Sequence, residues 1–161
     1  MTKEEFTQRV KANEKKLRLS ALSVVRNTED AKDAVASAVA YAWEKLDDLR
    51  DEGSFDAWLL KITYTEAKKI KKSSREYEDI SELTDAFSYE PETDDLEFLD
   101  ILSRSGLDGK SNMILTLKFM YGYTLEMIAD KMKIPLSTVK TKYYRALDKL
   151  AEKLDGNGRR R

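Results

Sequence analysis

The stretch from residue 134 to residue 147, IPLSTVKTKYYRAL, carries side chains that can hydrogen-bond to bases and phosphates. Four of them recur at steps of three and four residues and therefore share one side of an α-helix: Thr138, Thr141, Lys142 and Arg145. Arginine and lysine can donate to guanine acceptors in the major groove, and a helix N-terminus favours a phosphate. The pattern predicts a helix that contacts DNA, although basic sides of amphipathic helices are often only solvated.

The other side of this helix is apolar and predicts a buried face. Its members are Val139, Tyr143, Ala146, Leu147, Leu150 and Leu154. Ser137 is expected to cap the helix, and Thr124 is expected to cap a shorter helix before it. Pro135 prevents one continuous helix through both. The arrangement predicts a helix-turn-helix, whose second helix enters the major groove of DNA.

Further helices are expected to support the helix-turn-helix and a separate cluster of lysines. Ser111 is expected to begin a helix that ends at Gly122, because glycine readily adopts the left-handed conformation that closes helices. The N-terminal part predicts three helices: about residues 3–26, a second from an Asn27 or Thr28 cap to about Leu49, and a third after Ser54. The third ends in the lysines Lys68, Lys69, Lys71 and Lys72. Its inward side is expected to hold Phe55, Trp58, Leu59, Ile62 and Tyr64.

Composition favours an all-α protein without enzymatic activity. The 161 residues include two prolines and six glycines, and the long uninterrupted segments are rich in good helix formers. Cysteine and histidine are absent, which excludes disulfides and removes the commonest general base and metal ligand. We therefore expect no catalysis, no cofactor and no metal site. The lack of an apolar N-terminal segment or an apolar run of membrane-spanning length predicts a cytoplasmic protein with no membrane partner.

The charge is unevenly distributed along the chain. Lys plus Arg against Asp plus Glu number 15 to 13 in residues 1–72, 3 to 12 in residues 73–110 and 11 to 5 in residues 111–161. The net charge of −1 therefore conceals an acidic middle between more basic ends. We interpret residues 73–105 as an acidic linker between domains at 1–72 and 106–155, with a basic tail at 156–161. The aromatic side chains of this middle segment either contact a partner or attach it to its own domains: Tyr77, Phe87, Tyr89 and Phe98.

Both basic segments resemble parts of one protein family. Residues 121–154, YGYTLEMIADKMKIPLSTVKTKYYRALDKLAEKL, resemble region four of bacterial RNA polymerase sigma factors. Residues 26–70, RNTEDAKDAVASAVAYAWEKLDDLRDEGSFDAWLLKITYTEAKKI, resemble region two. The short chain, in which only an acidic linker separates the two regions, is similar to the extracytoplasmic-function class. The resemblance implies two small helical domains that act as one promoter-specificity factor.

The resemblance also implies partners and contact residues. Region four would dock on the β flap of core RNA polymerase and contact the minus-thirty-five element of promoter DNA. The residues that would face this DNA are Ser137, Thr138, Lys140, Thr141, Lys142 and Arg145. Region two would bind the β′ clamp helices near Ala36, Val39 and Ala40. It would also contact the minus-ten element, for which the candidates are Lys61, Tyr64, Thr65, Lys68, Lys69 and Lys72. The free protein is expected to be monomeric, and an anti-sigma factor stays open as a further partner.

Several positions depart from the family pattern. Ala36, Ser37 and Val39 stand where the family has a glutamine, an acidic residue and a bulky aromatic, which leaves fewer polar anchors for the clamp. Trp43, Phe55 and Trp58 match the pattern, but we expect them to be buried. The acidic residues of the loop LDDLRDEG either accept bonds from bases or, as we favour, are merely exposed: Asp47, Asp48, Asp51 and Glu52.

Two other functions fit the same residues. One is a free-standing helix-turn-helix regulator whose N-terminal helices dimerise or sense a signal. The other is a sigma-like interaction protein that binds polymerase or a sequestering partner without supporting initiation.

Overall fold

The computed structural model describes residues 1–73 and 93–156, and within these ranges it has seven α-helices and no strand, which confirms the all-α prediction. The helices are α1 Lys3–Val25, α2 Thr28–Glu44, α3 Phe55–Ser73, α4 Thr93–Ser105, α5 Gly109–Phe119, α6 Leu125–Met132 and α7 Leu136–Gly156. Two short 3-10 turns, Leu46–Asp48 and Glu52–Ser54, lie between α2 and α3. In the described ranges, none of the helices has the length and apolar character needed to cross a bilayer.

The chain forms two compact units, Met1–Asp100 and Ile101–Arg161. Helix α4 occupies residues 93–105 of the predicted linker, where the weak periodicity of the sequence did not indicate a helix. Phe98 is half-buried, whereas Tyr77, Phe87 and Tyr89 lie outside the described residues, as does most of the basic tail.

The first unit is built on α1, α2 and α3, each of which packs against the other two. The core consists of aliphatic side chains from the long helices together with small alanines on α2. Leu17, Leu22, Leu59 and Leu60 are fully buried or nearly so, and Phe55 packs edge-on against Phe6 with ring centroids 5.8 Å apart. Each Å² of apolar surface that is buried stabilises the fold by about 25 cal/mol, and this burial is the main stabilisation of such a bundle.

Side-chain caps set the helix starts in this unit. Thr2 Oγ1 accepts a hydrogen bond from the Glu5 amide, and the Thr2 amide donates to Glu5 Oε2 at 2.7 Å. The hydrogen bond from the Thr2 amide lowers the pKa of the Glu5 carboxyl below its usual value. Asn27 caps α2 by accepting from the Asp30 amide, which confirms that prediction. Helix α2 ends at Glu44 rather than near Leu49, because the chain tightens into a 3-10 turn.

In the second unit, two of three predicted caps are wrong. Asp108, not Ser111, caps α5: its Oδ1 accepts from the Ser111 amide at 2.7 Å, and Ser111 is buried in the first turn. Helix α7 begins at Leu136, before Ser137, because the carbonyl of Pro135 already accepts from the amides of Thr138 and Val139. Thr124 caps α6 as predicted.

The end of α5 differs from the prediction by three residues. The helix stops at Phe119, and Gly122 follows with φ of +74°, the left-handed conformation expected of it. The Tyr123 amide then donates to the carbonyl of Leu117, which closes the helix end. The glycine was therefore correctly identified as a terminator, but the helix ends before it.

Candidate nucleic-acid interface

Helices α6 and α7 form the predicted helix-turn-helix. Lys133 ends α6 in the left-handed conformation, with φ of 59°, and Pro135 leads directly into α7. The two helices pack on each other and both contact α5. Ile128 of α6 and Val139 of α7 are fully buried, and Ala146 is 2% exposed. The inner side of α7 is therefore held by the core, which leaves its other side for a ligand.

The polar side of α7 lies where the sequence predicted it. Four of its six proposed minus-thirty-five residues are exposed: Ser137, Lys140, Thr141 and Arg145. Thr138 and Lys142 are half-buried. Lys142 Nζ lies 3.4 Å from Asp108 Oδ2, so that lysine forms an ion pair within the unit. The exposed members present two positive charges and two hydroxyl groups along slightly more than two turns of helix.

An aromatic row lies beside this polar side. Tyr143 stacks with Phe119 at 6.4 Å between ring centroids and meets Tyr144 edge-on at 5.1 Å. Tyr143 is buried, whereas Phe119 and Tyr144 are 55% and 57% exposed. The row thus connects the core of the second unit to solvent next to Lys140 and Arg145. The helical spacing in the sequence gives no signal for Phe119.

The basic side of α3 is exposed, as predicted. The solvent-facing candidates are Lys61, Thr65, Lys68, Lys69 and Lys72. Thr65 Oγ1 donates to the Lys61 carbonyl at 3.0 Å, and Lys69 Nζ lies 3.0 Å from Glu66 Oε2. Both contacts are within α3 itself, so they leave the row of positive charge accessible to an anion.

Tyr64 departs from the expected minus-ten set. Its side chain is only 3% exposed, on the side of α3 that packs into the bundle. A tyrosine in that position cannot stack on a base without leaving the core. Tyr64 therefore faces inward, as its helical spacing in the sequence also predicted.

The acidic loop between α2 and α3 is mostly a structural turn. Asp51 Oδ1 accepts from the Gly53 amide at 2.9 Å, and Asp51 Oδ2 accepts from Ser54 Oγ at 3.1 Å. Arg9 of α1 donates to the Glu52 carbonyl at 2.8 Å and lies over the ring of Phe55. Asp47 and Asp48 are exposed. These contacts agree with the preferred interpretation of the acids as loop residues and assign Asp51 to shaping the turn.

An apolar groove of about 600 Å³ lies between α1 and α2. All three proposed clamp residues line it, namely Ala36, Val39 and Ala40, and Ala36 and Ala40 are exposed. Phe6 and Val10 of α1 and Val35 of α2 complete the apolar lining. The two α1 residues could not be predicted from the sequence, because nothing in the spacing of α1 shows which of its sides faces α2.

Charged side chains surround the groove. Lys11, Arg18 and Lys32 lie at its border with one acid, Glu14. Arg18 and Glu14 form an ion pair one turn apart on α1. The border therefore carries an excess of positive charge, which suits a partner helix that is apolar on one side and acidic at its edges.

The prediction that Trp43 is buried is wrong. The indole is 46% exposed and packs edge-on against Phe6, with ring centroids 5.1 Å apart. Trp58 is half-buried and Phe55 is 1% exposed, so only Phe55 is a full member of the core. Trp43 is exposed because the alanines of α2, rather than the tryptophan, face α1 and α3.

Models of two sigma-factor regions match the chain in the order predicted. "Sigma-70 region 2" matches residues 9–77, and "Sigma-70, region 4" matches residues 105–152. Together these matches cover most of the sequence and coincide with the basic α3 and the helix-turn-helix. The chain belongs to the sigma-70 family. Its two regions and its similarity to a small sigma factor place it in the extracytoplasmic-function class.

Relatives of this sigma factor are moderately similar in sequence. RNA polymerase sigma factor SigV of Bacillus subtilis (strain 168) is 27% identical over 128 residues, which span 79% of this chain and 77% of that relative. Among solved structures, CnrH in complex with the cytosolic domain of CnrY superposes with a TM-score of 0.69 at 22% identity, over 98% of this chain and 92% of CnrH. The sigma factor RpoE with the anti-sigma factor NepR from Bartonella quintana gives 0.64 at 23% identity, over 96% and 99%.

These findings confirm the predicted function. The protein is a sigma factor that directs transcription initiation, and its partners are core RNA polymerase and promoter DNA. Sigma factors are regulatory proteins rather than enzymes.

Proposed function

We propose that this sigma factor contacts the minus-thirty-five element through α7, the minus-ten element through α3 and the β′ clamp through the groove between α1 and α2. The observation that carries the assignment is that one side of α7 is buried and the other is exposed. Val139 and Tyr143 anchor the helix in the core, while Lys140 and Arg145 extend from its exposed side directly after the turn. That geometry is the one by which a helix-turn-helix inserts its second helix into the major groove.

On the minus-thirty-five element, we assign different tasks to the exposed residues of α7. Arg145 lies in the second turn after Lys140 and carries the planar guanidinium that can bond guanine bidentately. Ser137 and Thr138, in the first turn, are placed for a phosphate at the positive end of the helix dipole. Lys140, Thr141 and Lys142 would position the helix against the backbone or base edges. The domain assigned to this task is residues 106–155.

On the minus-ten element, α3 supplies positive charge for single-stranded DNA. Lys61, Thr65, Lys68 and Lys72 lie exposed along α3, and Lys69 lies beside them with Glu66 as a partner. Tyr64 is left out of this surface because it is buried. Phosphate contacts of this kind bind DNA without strong sequence preference, so selectivity at this element must come from other groups.

Core polymerase would bind the first unit at the apolar groove. The exposed alanines Ala36 and Ala40 leave room for a helix to approach α2 closely, and Val39 lies between them. Small side chains on α2 and apolar ones on α1 can replace the polar anchors that the family pattern has on α2. We assign residues 1–72 to this contact and to the minus-ten element, and the second unit to the β flap.

The two units would act together on the polymerase. A few phosphate contacts at physiological salt give only about micromolar or weaker affinity for DNA. Linking two weak contacts on one polymerase raises their effective concentration, so a promoter with both elements is selected. Residues 73–105 would link the units, and their negative charge would oppose binding of DNA by the free protein. The protein itself supplies no catalysis, acts in the cytoplasm where polymerase and chromosome are, and is monomeric when free.

An anti-sigma factor is a further proposed partner. The solved structures of CnrH and of RpoE from Bartonella quintana hold them with the cytosolic domain of CnrY and with the anti-sigma factor NepR, respectively. By analogy, a partner of that kind would cover the groove between α1 and α2 and thereby exclude polymerase. The exposed indole of Trp43 and ring of Tyr41 on α2 give such a partner further apolar surface.

The deciding experiment mixes the protein with core RNA polymerase from its source, tests co-elution and sequences the transcripts initiated on genomic DNA. Co-elution with selective initiation at sites that share two elements is the expected result. Binding without initiation would instead indicate a sigma-like interaction protein. Tight, specific binding of the protein alone to a palindromic site would favour a free-standing regulator.

A further inference from the structure

The loop that precedes α5 is attached to the proposed DNA-contacting helix at two points. Asp108 Oδ2 lies 3.4 Å from Lys142 Nζ, and the Gly106 carbonyl accepts a hydrogen bond from Lys149 Nζ at 3.2 Å. Lys142 and Lys149 are seven residues apart and therefore lie on one side of α7, two turns from each other. The loop thus holds a carboxylate beside a lysine of the DNA-contacting helix.

Two contacts hold this carboxylate in place. Asp108 Oδ1 accepts from the Ser111 amide at 2.7 Å, which caps α5 and leaves Oδ2 for Lys142. The hydrogen bond from that amide, and after it the charge of Lys142, lower the pKa of Asp108 below its usual value. At neutral pH the group is therefore a fixed negative charge, with 61% of its side chain exposed against 30% for Lys142.

We propose that Asp108 is a positioning residue that restrains Lys142 and weakens the contact of α7 with DNA phosphates. The inference rests on the proposed function of α7. A phosphate oxygen bonded to Lys142 Nζ would come within about 6 Å of the Asp108 carboxylate, since both contacts share one nitrogen. Like charges at that distance repel, and the ion pair must loosen before Lys142 can turn to DNA.

The expected effect is small and independent of DNA sequence. Exposed ion pairs change an equilibrium by a factor of about two to five, and phosphates are present on every duplex. Asp108 would therefore lower the affinity of α7 for any DNA. Base contacts and polymerase would then contribute relatively more to the choice of a promoter.

The test is Asp108→Asn in the full chain. Asparagine caps helices as well as aspartate, so α5 should keep its start and its thermal unfolding midpoint. Binding to a short mixed-sequence duplex, followed by fluorescence anisotropy, should become about two- to fivefold tighter at low salt. The slope of log K against log salt should become more negative by up to about 0.9, the contribution of one additional phosphate contact.

A double-mutant cycle separates this effect from a general change in charge. In a Lys142→Met background, Asp108→Asn should retain only the small gain in DNA affinity that comes from removing one negative charge. Asp148→Asn, which removes the same charge from an exposed position of α7, should increase affinity less and should do so in both backgrounds. Unchanged or weaker binding by Asp108→Asn, or a gain that is equally large without Lys142, would overturn the proposal.

The same measurement distinguishes failure of this inference from failure of the proposed function. Lys140→Met and Lys142→Met should each weaken binding to the mixed-sequence duplex if α7 contacts phosphates. If both weaken binding and Asp108→Asn has no effect, only the role of Asp108 is wrong. If neither lysine variant changes affinity, α7 does not contact DNA and both proposals fall.

Discussion

Asn13 of α1 and Asp56 of α3 are joined by a hydrogen bond of 2.9 Å from the asparagine Nδ2 to the aspartate Oδ1. The same Nδ2 also donates to the Arg9 carbonyl at 2.9 Å, and the asparagine is only 4% exposed. A buried amide therefore links the first helix to the helix that carries the basic surface. The link fixes α3 near its start, directly after the loop that Arg9 holds.

Replacing Asn13 by alanine should destabilise the first unit by about 1–3 kcal/mol, because the part-buried Arg9 carbonyl and Asp56 carboxylate each lose a hydrogen bond from the buried side chain. Urea unfolding followed by tryptophan fluorescence measures this change, since both tryptophans lie in the first unit. Gln8→Ala removes an exposed amide from the same helix and should change the free energy of unfolding by less than about 0.5 kcal/mol. Equal effects of the two variants would show that the buried link has no special role.

Arg145→Ala should relax base preference at one position of the minus-thirty-five element, at a cost of about 1–3 kcal/mol for the preferred sequence. Lys140→Ala should instead weaken all promoters alike and reduce the salt slope by about one ion. Initiation from a library of randomised minus-thirty-five elements, with reconstituted holoenzyme, measures both effects.

Lys153→Ala is the matched control for these two variants, because it removes an exposed positive charge from the last turns of α7. It should change neither promoter preference nor affinity. Loss of preference at several positions in Lys153→Ala would contradict the assignment of the first turns of α7 to the bases.

Ala36→Glu should prevent binding of core polymerase, because it places a negative charge and a longer side chain in the apolar groove between α1 and α2. Ser37→Glu puts the same charge on the next residue of α2, which is exposed but does not line the groove. It should leave binding intact. Co-elution with core polymerase, with circular dichroism to verify folding, compares the two variants. Equal binding by both would place the clamp contact elsewhere.

Lys68→Gln should slow formation of the open promoter complex, because it removes an exposed charge from the surface proposed to hold the single strand. Lys3→Gln removes an exposed charge from the start of α1 and should have no such effect. Tyr64→Phe should also leave strand opening unchanged, since its ring is buried. Permanganate footprinting of holoenzyme complexes measures opening. A defect in Lys3→Gln that equals the defect in Lys68→Gln would contradict the assignment of α3 to the single strand.

The Asp108 cap should weaken in acid. Folding lowers the pKa of Asp108, chiefly through the hydrogen bond from the Ser111 amide, so the carboxylate stabilises the folded state above the unfolded pKa. That contribution is constant at neutral pH and is lost as the pH falls through the lowered value. Carboxyl NMR shifts should give a midpoint below 3.8, and the protection factor of the Ser111 amide against exchange should fall over the same pH range in the wild type but not in Asp108→Asn. A midpoint above 3.8 would contradict the cap geometry.

Helical spacing was sufficient for the main architecture and for the two sides of α7. Periodic apolar residues identified the described helices except α4, and Asn27 and Thr124 were recognised as caps because their side chains act on amides only three residues away. The two wrong caps involve equally short contacts, but several polar residues competed there. Asp108 was overlooked beside Ser111, and Pro135 supplied a carbonyl where a Ser137 side chain was expected.

The sequence by itself determined the all-α class, the order of the two sigma regions and which residues share a side of each helix, because these depend on contacts within about four residues. Only the tertiary structure decided that Tyr64 is buried and Trp43 exposed, and that Phe6 of α1 joins Ala36 of α2 in one groove. It also brought Asp108 to Lys142, 34 residues further along the chain. Periodicity gives the direction of a side chain around its own helix. Whether another helix covers that direction depends on packing between segments that are distant in sequence.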